Sequence, residues 1–127
     1  MNLGKVIFGF FILLAMTLNF GFFIGDIDNP DHHNVYELFA AIVVSLIATI
    51  LKFGERTQIG AVLLAASLVA DLQLIAAALV WAIAVHVLDV GLTPAVMASI
   101  VSLSGGALLA NVVSVVLLTV ETVTLHR

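Results

Sequence analysis

Asp71 is the residue whose type and position most directly suggest chemistry. It lies within a long apolar stretch, Gln58–Leu88, 15 residues after Arg56. On a continuous helix that separation is about 22 Å, which places the carboxyl deep in a bilayer. A carboxyl at that depth is costly, faces a bundle interior or water, and favours its neutral form. Two interpretations follow: a site that carries protons or small cations, or a protonated side chain that bonds helices together.

Two other polar residues are candidates for the same ion or proton pathway. Ser67 lies one helical turn before Asp71 and therefore on the same helix face. Asn111 lies 20 residues after Gly91, and Asp71 lies 20 residues before it, so an antiparallel hairpin brings both to a similar depth. Asn111 also has a structural interpretation, because amide side chains often form hydrogen bonds between membrane helices.

A second group of polar residues lies between the apolar stretches and could bind or sense cations. Its members are Asp26, Asp28, Asp31, His32, His33, His86 and Asp89. Histidine and carboxylate side chains bind zinc and related metals, and histidine titrates near neutral pH. The group is interpreted as a solvated acidic surface, as an outer cation or pH-sensing cluster, or as a metal site with His32 and His33 as candidate ligands.

Composition indicates the kind of fold that positions these residues. Of the 127 residues, 63% are apolar and 9% are charged. A soluble domain is roughly half apolar and a quarter charged, so lipid must cover part of this surface. The net charge of −4 argues against a nucleic-acid partner. The chain contains no cysteine, which rules out a disulfide, and no motif predicts a cofactor.

Four apolar stretches predict an all-α integral membrane protein, a four-span helical bundle that forms a single transmembrane domain over residues 1–127. The predicted spans are residues 4–25, 35–53, 58–88 and 92–124. A bilayer crossing needs about 20 residues, so the last two spans are longer than required. They either tilt as continuous helices or break into half-helices, near Asp71–Gln73 and at Gly105–Gly106.

Basic residues predict the orientation. The lysines and arginines are Lys5, Lys52, Arg56 and Arg127, and four spans place all of them on one side. The positive-inside rule makes that side cytoplasmic, which gives an N-in/C-in topology. Lys5 before an apolar run also resembles the start of a signal peptide. That run exceeds the usual length of about 7–15 residues, so we expect the first span to be retained.

Small residues predict where helices approach each other closely. Gly21 and Gly25 form a GxxxG spacing at the end of the first span. Ser102, Gly106 and Ala110 recur every four residues in the last span and form a similar packing face. Such faces suggest a homo-oligomer or a subunit of a membrane complex.

The combined features favour a small oligomeric membrane channel or transporter for protons or small cations. The alternative is a non-catalytic accessory or regulatory subunit of a larger membrane complex. We expect no enzyme activity, because no nucleophile–base pair is recognised in the sequence. Membrane lipid is the expected surrounding, and a bacterial cytoplasmic (inner) membrane is the expected location.

Single cysteines can test the topology, since the native chain has none. Asn29→Cys and Gly91→Cys should react with an impermeant thiol reagent added outside intact cells. Gly54→Cys should be protected, because the predicted orientation places that loop in the cytoplasm. Labelling of Gly54→Cys together with protection of Asn29→Cys would establish the opposite orientation.

Overall fold

The computed structural model describes residues 3–54 and 56–125. Its four helices are α1, Leu3–Phe23; α2, Val35–Lys52; α3, Gln58–Ala82; and α4, Pro94–Leu125. A short 3-10 turn, Pro30–His32, lies between α1 and α2, and a π-helical turn, Ile83–Val87, extends α3. The described ranges contain helices and turns but no strand.

Side-chain caps determine where three of the helices begin. The side chain of Asn34 accepts a hydrogen bond from the amide of Tyr36, and that of Thr57 accepts one from Gly60. The hydroxyl of Thr93 accepts one from the amide of Val96 at 3.2 Å. Each cap satisfies an amide that has no partner within its own helix, so these helices start at defined residues.

Each helix is long and apolar enough to cross a membrane. The crossing segments are Leu3–Phe23, Val35–Lys52, Gln58–Val87 and Pro94–Thr124, with mean hydropathies between 2.0 and 2.2. Large apolar side chains such as Phe10, Leu72 and Leu109 point away from the interior and are well exposed. Lipid covers such a surface readily, whereas water does not. The predicted all-α, four-helix membrane fold is confirmed.

The helices form a closed ring in which each one packs against two others. α1 packs against α2 and α4, and α3 packs against the same two helices. Because the connections are short, neighbours run antiparallel, as in an up-down-up-down bundle. The ring therefore encloses one interior, to which all four helices contribute side chains.

The two ends of the bundle carry opposite charge. At the basic end lie Lys5, Lys52 and Arg56, while Arg127 falls outside the described residues. Lys5 Nζ is 3.1 Å from Glu121 Oε1, which ties the start of α1 to the end of α4. The acidic end carries Asp26, Asp28, Asp31, Glu37 and Asp89.

Two apolar clusters fill the interior, one toward each end. The acidic-end cluster consists of Phe22, Leu38, Ala41, Ala70, Leu74, Ala77, Met97, Ile100, Val101 and Ala107. The basic-end cluster consists of Phe8, Ile12, Ala48 and Leu63. In lipid, such contacts stabilise the bundle through close packing rather than through exclusion of water.

The two long segments are continuous helices. α3 runs through Asp71–Gln73 and α4 runs through Gly105–Gly106 without a break. Of the two alternatives considered for these segments, half-helices are therefore not found. A continuous helix satisfies its backbone hydrogen bonds internally, which the bilayer core requires.

The small residues of α4 have unequal roles in packing. Gly106 lies directly against the side-chain amide of Gln73 in α3, where a Cβ would overlap it. Ala110 is partly buried beside the acidic-end cluster. Ser102 is exposed, so it packs against none of the other three helices of the bundle. The face turns outward there because a spacing of four residues drifts around a helix of 3.6 residues per turn.

The two glycines at the end of α1 also differ. Gly21 allows the Glu37 carboxylate of α2 to lie against the α1 backbone. Gly25 lies beyond the end of α1, has a φ of 110°, and is covered by the His32 ring. Within the bundle, Gly25 therefore lies against the loop that follows α1 and not against another helix. This residue instead takes the left-handed conformation that commonly ends a helix.

Gly106→Leu should lower the thermal stability of the purified protein, because the new side chain must displace Gln73 from a packed interface. Overpacking of this kind costs about 1–3 kcal/mol. Ser102→Leu is the matched control, since Ser102 lies four residues earlier on the same helix and is exposed. Equal thermal stability of the two variants would contradict a close contact at Gly106.

Candidate functional site

Asp71 lies in the interior with its carboxyl hydrogen bonded to two hydroxyl groups of α2. Ser45 Oγ is 2.6 Å from Asp71 Oδ1, and Thr49 Oγ1 is 2.5 Å from Asp71 Oδ2. No residue of the three is more than 5% exposed. Ser45 and Thr49 are four residues apart and share one helix face, so together they reach both oxygens of one carboxyl.

The number of hydrogens that the network needs indicates which form of the Asp71 carboxyl fits it. Thr49 Oγ1 is also 3.0 Å from the backbone carbonyl oxygen of Ser45, which can only accept. Three hydrogen bonds therefore join the residues, whereas the two hydroxyls supply only two hydrogens. Asp71 supplies the third when it is protonated: Asp71 donates to Thr49 Oγ1, Thr49 to Ser45 O, and Ser45 Oγ to Asp71 Oδ1. The geometry fits a neutral acid, which avoids an uncompensated buried charge.

Contacts between α1 and α2 establish the depth of this network. The Glu37 carboxylate lies against Gly21 near one end of the helix pair. Near the other end, Lys52 Nζ is 4.4 Å from the centre of the Phe8 ring. Ser45 lies about midway between these two α2 residues. The Asp71 network is therefore level with the middle of α1.

Contacts between α1 and α4 extend this level to the fourth helix. The side-chain nitrogen of Asn19 donates to the Ser104 carbonyl oxygen, and its side-chain oxygen accepts from the Leu108 backbone amide, each at 3.0 Å. Toward the basic end, Leu118 lies against Gly9. The middle of α1 therefore lies at the same depth as the part of α4 around Asn111. The positions of these contacts place Asn111 and Asp71 at similar depths.

Several buried polar atoms lack a hydrogen-bond partner within residues 3–54 and 56–125. They are Ser67 Oγ, Gln73 Oε1, Ser104 Oγ, Ser114 Oγ and both side-chain polar atoms of Asn111. Ser67, Asn111, Ser104 and Ser114 are fully buried. A buried polar atom left unsatisfied costs about 1–3 kcal/mol, so several in one interior suggest that water or an ion also binds there.

The predicted pathway residues share the interior, but their side chains do not form one hydrogen-bonded unit. Asp71 bonds to Ser45 and Thr49, whereas Ser67 and Asn111 make no bond to it. The sequence reasoning missed Ser45 and Thr49. Their signal was available: apart from Tyr36, they carry the only hydroxyl groups of α2, and they lie four residues apart.

His33 has a structural position at the acidic end. It is 3% exposed, with Nδ1 2.5 Å from the Phe22 carbonyl oxygen and Nε2 2.7 Å from that of Asp26. Both partners are backbone oxygens, which accept hydrogen bonds and therefore hold the ring from both sides. His33 thereby ties the last turn of α1 to the loop that follows.

The other members of the acidic-end group lie at the surface. His32 Nδ1 accepts from the amide of Asp26 at 2.8 Å. Asp26, Asp28, Asp31, His86 and Asp89 are exposed. In the part of the chain that the structure describes, no three histidine or carboxylate residues are placed to hold a metal ion. The arrangement favours a solvated acidic surface over a metal site.

Comparisons with known proteins identify a family but no activity. A family model described as "Family of unknown function (DUF6394)" matches residues 32–122. The match includes all of α2 and α3 and most of α4, and so contains Ser45, Thr49, Asp71 and Asn111. No curated protein and no solved structure matches the chain.

Infrared spectroscopy can test the hydrogen count at Asp71. In lipid at neutral pH, the parent protein should show the carbonyl band of a protonated carboxylic acid, because the network requires a third hydrogen. Asp71→Asn should lose this band. Asp28→Asn, which alters an exposed carboxyl, should keep it. A parent spectrum without the band would show that Asp71 is ionised and would overturn the count.

Proposed function

The chain belongs to the DUF6394 family, whose function is unknown, and we propose that it is a small oligomeric channel or transporter for protons or small cations. The proposal rests on one observation: a buried carboxyl in the middle of a membrane-spanning bundle is hydrogen bonded to Ser45 and Thr49. Ionisable residues inside a membrane often belong to proton or ion pathways.

The network supports both charge states of Asp71 with little movement. When the carboxyl is neutral, Thr49 donates to the Ser45 carbonyl oxygen and accepts from Asp71. When the carboxyl loses its proton, the Thr49 hydroxyl can turn and donate to Asp71 Oδ2, while Ser45 still donates to Oδ1. The carboxylate then accepts two hydrogen bonds, which stabilise its charge. A rotation of one hydroxyl therefore accompanies proton loss.

The unpartnered polar atoms nearby support movement of an ion to and from Asp71. Ser67 is one turn away on α3, and Asn111 lies at a similar depth on α4. Hydroxyl and amide groups of this kind bind water or a small cation in polar interiors. At the acidic end, exposed carboxylates would raise the local concentration of cations.

The oligomeric state and the location are part of the same proposal. A ring of four helices leaves little room for a pathway, so we expect several copies to assemble. The gathering of lysine and arginine at one end agrees with N-in/C-in insertion into a bacterial inner membrane. Asp71, Ser67 and Asn111 are the proposed pathway residues, and no catalytic reaction is assigned.

A second function is favoured by one specific observation. The apolar clusters close the interior on both sides of Asp71. In a non-conducting accessory or regulatory subunit of a larger membrane complex, the Asp71 network would serve only to bond α3 to α2. The transport experiment below distinguishes the two functions.

Liposomes containing the purified protein should show a proton or cation flux under a pH or voltage gradient. Asp71→Asn should abolish it, because an amide of nearly the same size cannot release a proton. Asp28→Asn is the control, since Asp28 is exposed and lies outside the network. Absence of flux from well-folded parent protein would favour the accessory function, and flux that survives in Asp71→Asn would remove Asp71 from the pathway.

A further inference from the structure

We infer that Asp71 communicates with water at the basic end of the bundle, through a cleft beside Glu121, and not with water at the acidic end. This inference rests on the proposed role of Asp71 and adds the direction from which its proton or cation enters. Three features carry it: the unequal apolar clusters, the cleft itself, and the distribution of buried polar side chains along α4.

The apolar clusters on the two sides of Asp71 differ in size. Ten buried residues form the acidic-end cluster, whereas four form the basic-end cluster. The acidic-end cluster includes large side chains from all four helices, and the Phe22 and Trp81 rings pack there with centroids 6.3 Å apart. A water molecule or an ion must displace more packed side chains to reach Asp71 from the acidic end.

A cleft lies beside Glu121 at the basic end of the bundle, between the start of α3 and the end of α4. It has a volume of about 240 Å³ and is lined by Thr57, Ile59, Glu121 and Thr124. A water molecule occupies about 30 Å³ in the liquid, so the cleft has the volume of several. Its lining is mainly apolar, and Glu121, which is 5% exposed, is the acidic residue that contributes to it.

Buried polar side chains on α4 continue from the cleft to the depth of Asp71. Glu121, Ser114 and Asn111 are separated by seven and three residues, which keeps them on one face of the helix. All three are buried. Toward the acidic end, the buried positions of α4 beyond Ser104 are all apolar: Met97, Ile100 and Val101. On α4, buried polar side chains therefore continue from the depth of Asp71 to the cleft at the basic end, whereas toward the acidic end they stop at Ser104.

The Lys5–Glu121 ion pair acts as a positioning contact across this route. Its 3.1 Å contact joins α1 to α4 at the cleft. Between the cleft and Ser114, Leu117 and Leu118 pack against the basic-end cluster and separate the two. Local opening of this thin apolar layer would admit water. Loss of the ion pair should make such opening more frequent, because α1 and α4 would then separate more easily.

Two serines of α4 provide a matched pair for testing access. Ser114 and Ser104 are both fully buried with unpartnered hydroxyls, and they lie on the basic-end and acidic-end sides of Asn111. Serine and cysteine are close in size, and the native chain has no cysteine. Ser114→Cys and Ser104→Cys should each be reconstituted in liposomes and treated with a small charged methanethiosulfonate reagent, added to one side at a time.

Ser114→Cys should react at least about tenfold faster than Ser104→Cys, and only from the side that holds the basic end, because exposure of a buried thiol follows the frequency of local opening. Adding Glu121→Gln should accelerate labelling of Ser114→Cys and leave Ser104→Cys unchanged. Ser67→Cys, on α3, provides a second probe that should label like Ser114→Cys. Gel filtration would confirm that every variant retains its fold.

Equal labelling rates for the two serine positions, or faster labelling of Ser104→Cys from the acidic side, would overturn the inference. These results leave the proposed function intact if Asp71-dependent flux is still observed. The reverse combination, basic-end labelling of Ser114→Cys without any flux, would support the access route and reject transport. The labelling experiment therefore tests the access route, and the flux experiment tests transport separately.

Discussion

The hydrocarbon core of a bilayer offers no hydrogen bonds, so polar groups in the middle of this bundle must bond to other protein groups or to enclosed water. The Asp71 network is the clearest result of that constraint. Its carboxyl faces Ser45 and Thr49, and these bonds connect α3 to α2 at mid-depth. Asn19 makes the corresponding connection from α1 to the backbone of α4. Polar contacts in the central part of the bundle thus bond the helices in pairs, while apolar clusters fill the interior toward each end.

The same constraint explains the difference between the two ends. At the acidic end, carboxylates lie exposed beyond a thick apolar cluster, and His33 holds the loop by backbone oxygens. At the basic end, charged side chains enter the bundle: Lys52 lies over the Phe8 ring, and Glu121 is buried against Lys5. Charge that penetrates the bundle needs a nearby partner or water, whereas charge on a loop is solvated directly. The basic end is therefore the more polar approach to the interior.

Most of the fold could be predicted from sequence because apolar runs of this length have few alternatives in a membrane. The depth of Asp71 followed from the same reasoning. Its partners did not, because hydropathy gives the height of a residue but not the direction of its side chain around the helix axis. The sequence also could not decide whether α3 and α4 are continuous or broken into half-helices, because glycine and polar residues occur in both kinds of membrane helix. His33 was missed as a loop anchor because its bonds go to backbone oxygens, which leave no pattern in the sequence.

The position of Ser45 and Thr49 upstream of Asp71 has a consequence for biosynthesis. The chain enters the membrane from its N-terminus, so α2 is already in place when α3 emerges. At that stage the His33 ring can already bond to the backbone oxygens of Phe22 and Asp26 and hold the loop between α1 and α2. An acidic residue at the centre of a lone helix opposes insertion by about 2.5–3.5 kcal/mol. Hydrogen bonds from Ser45 and Thr49 on α2 would reduce this penalty when α3 inserts, so the first hairpin would assist insertion of the helix that carries the carboxyl.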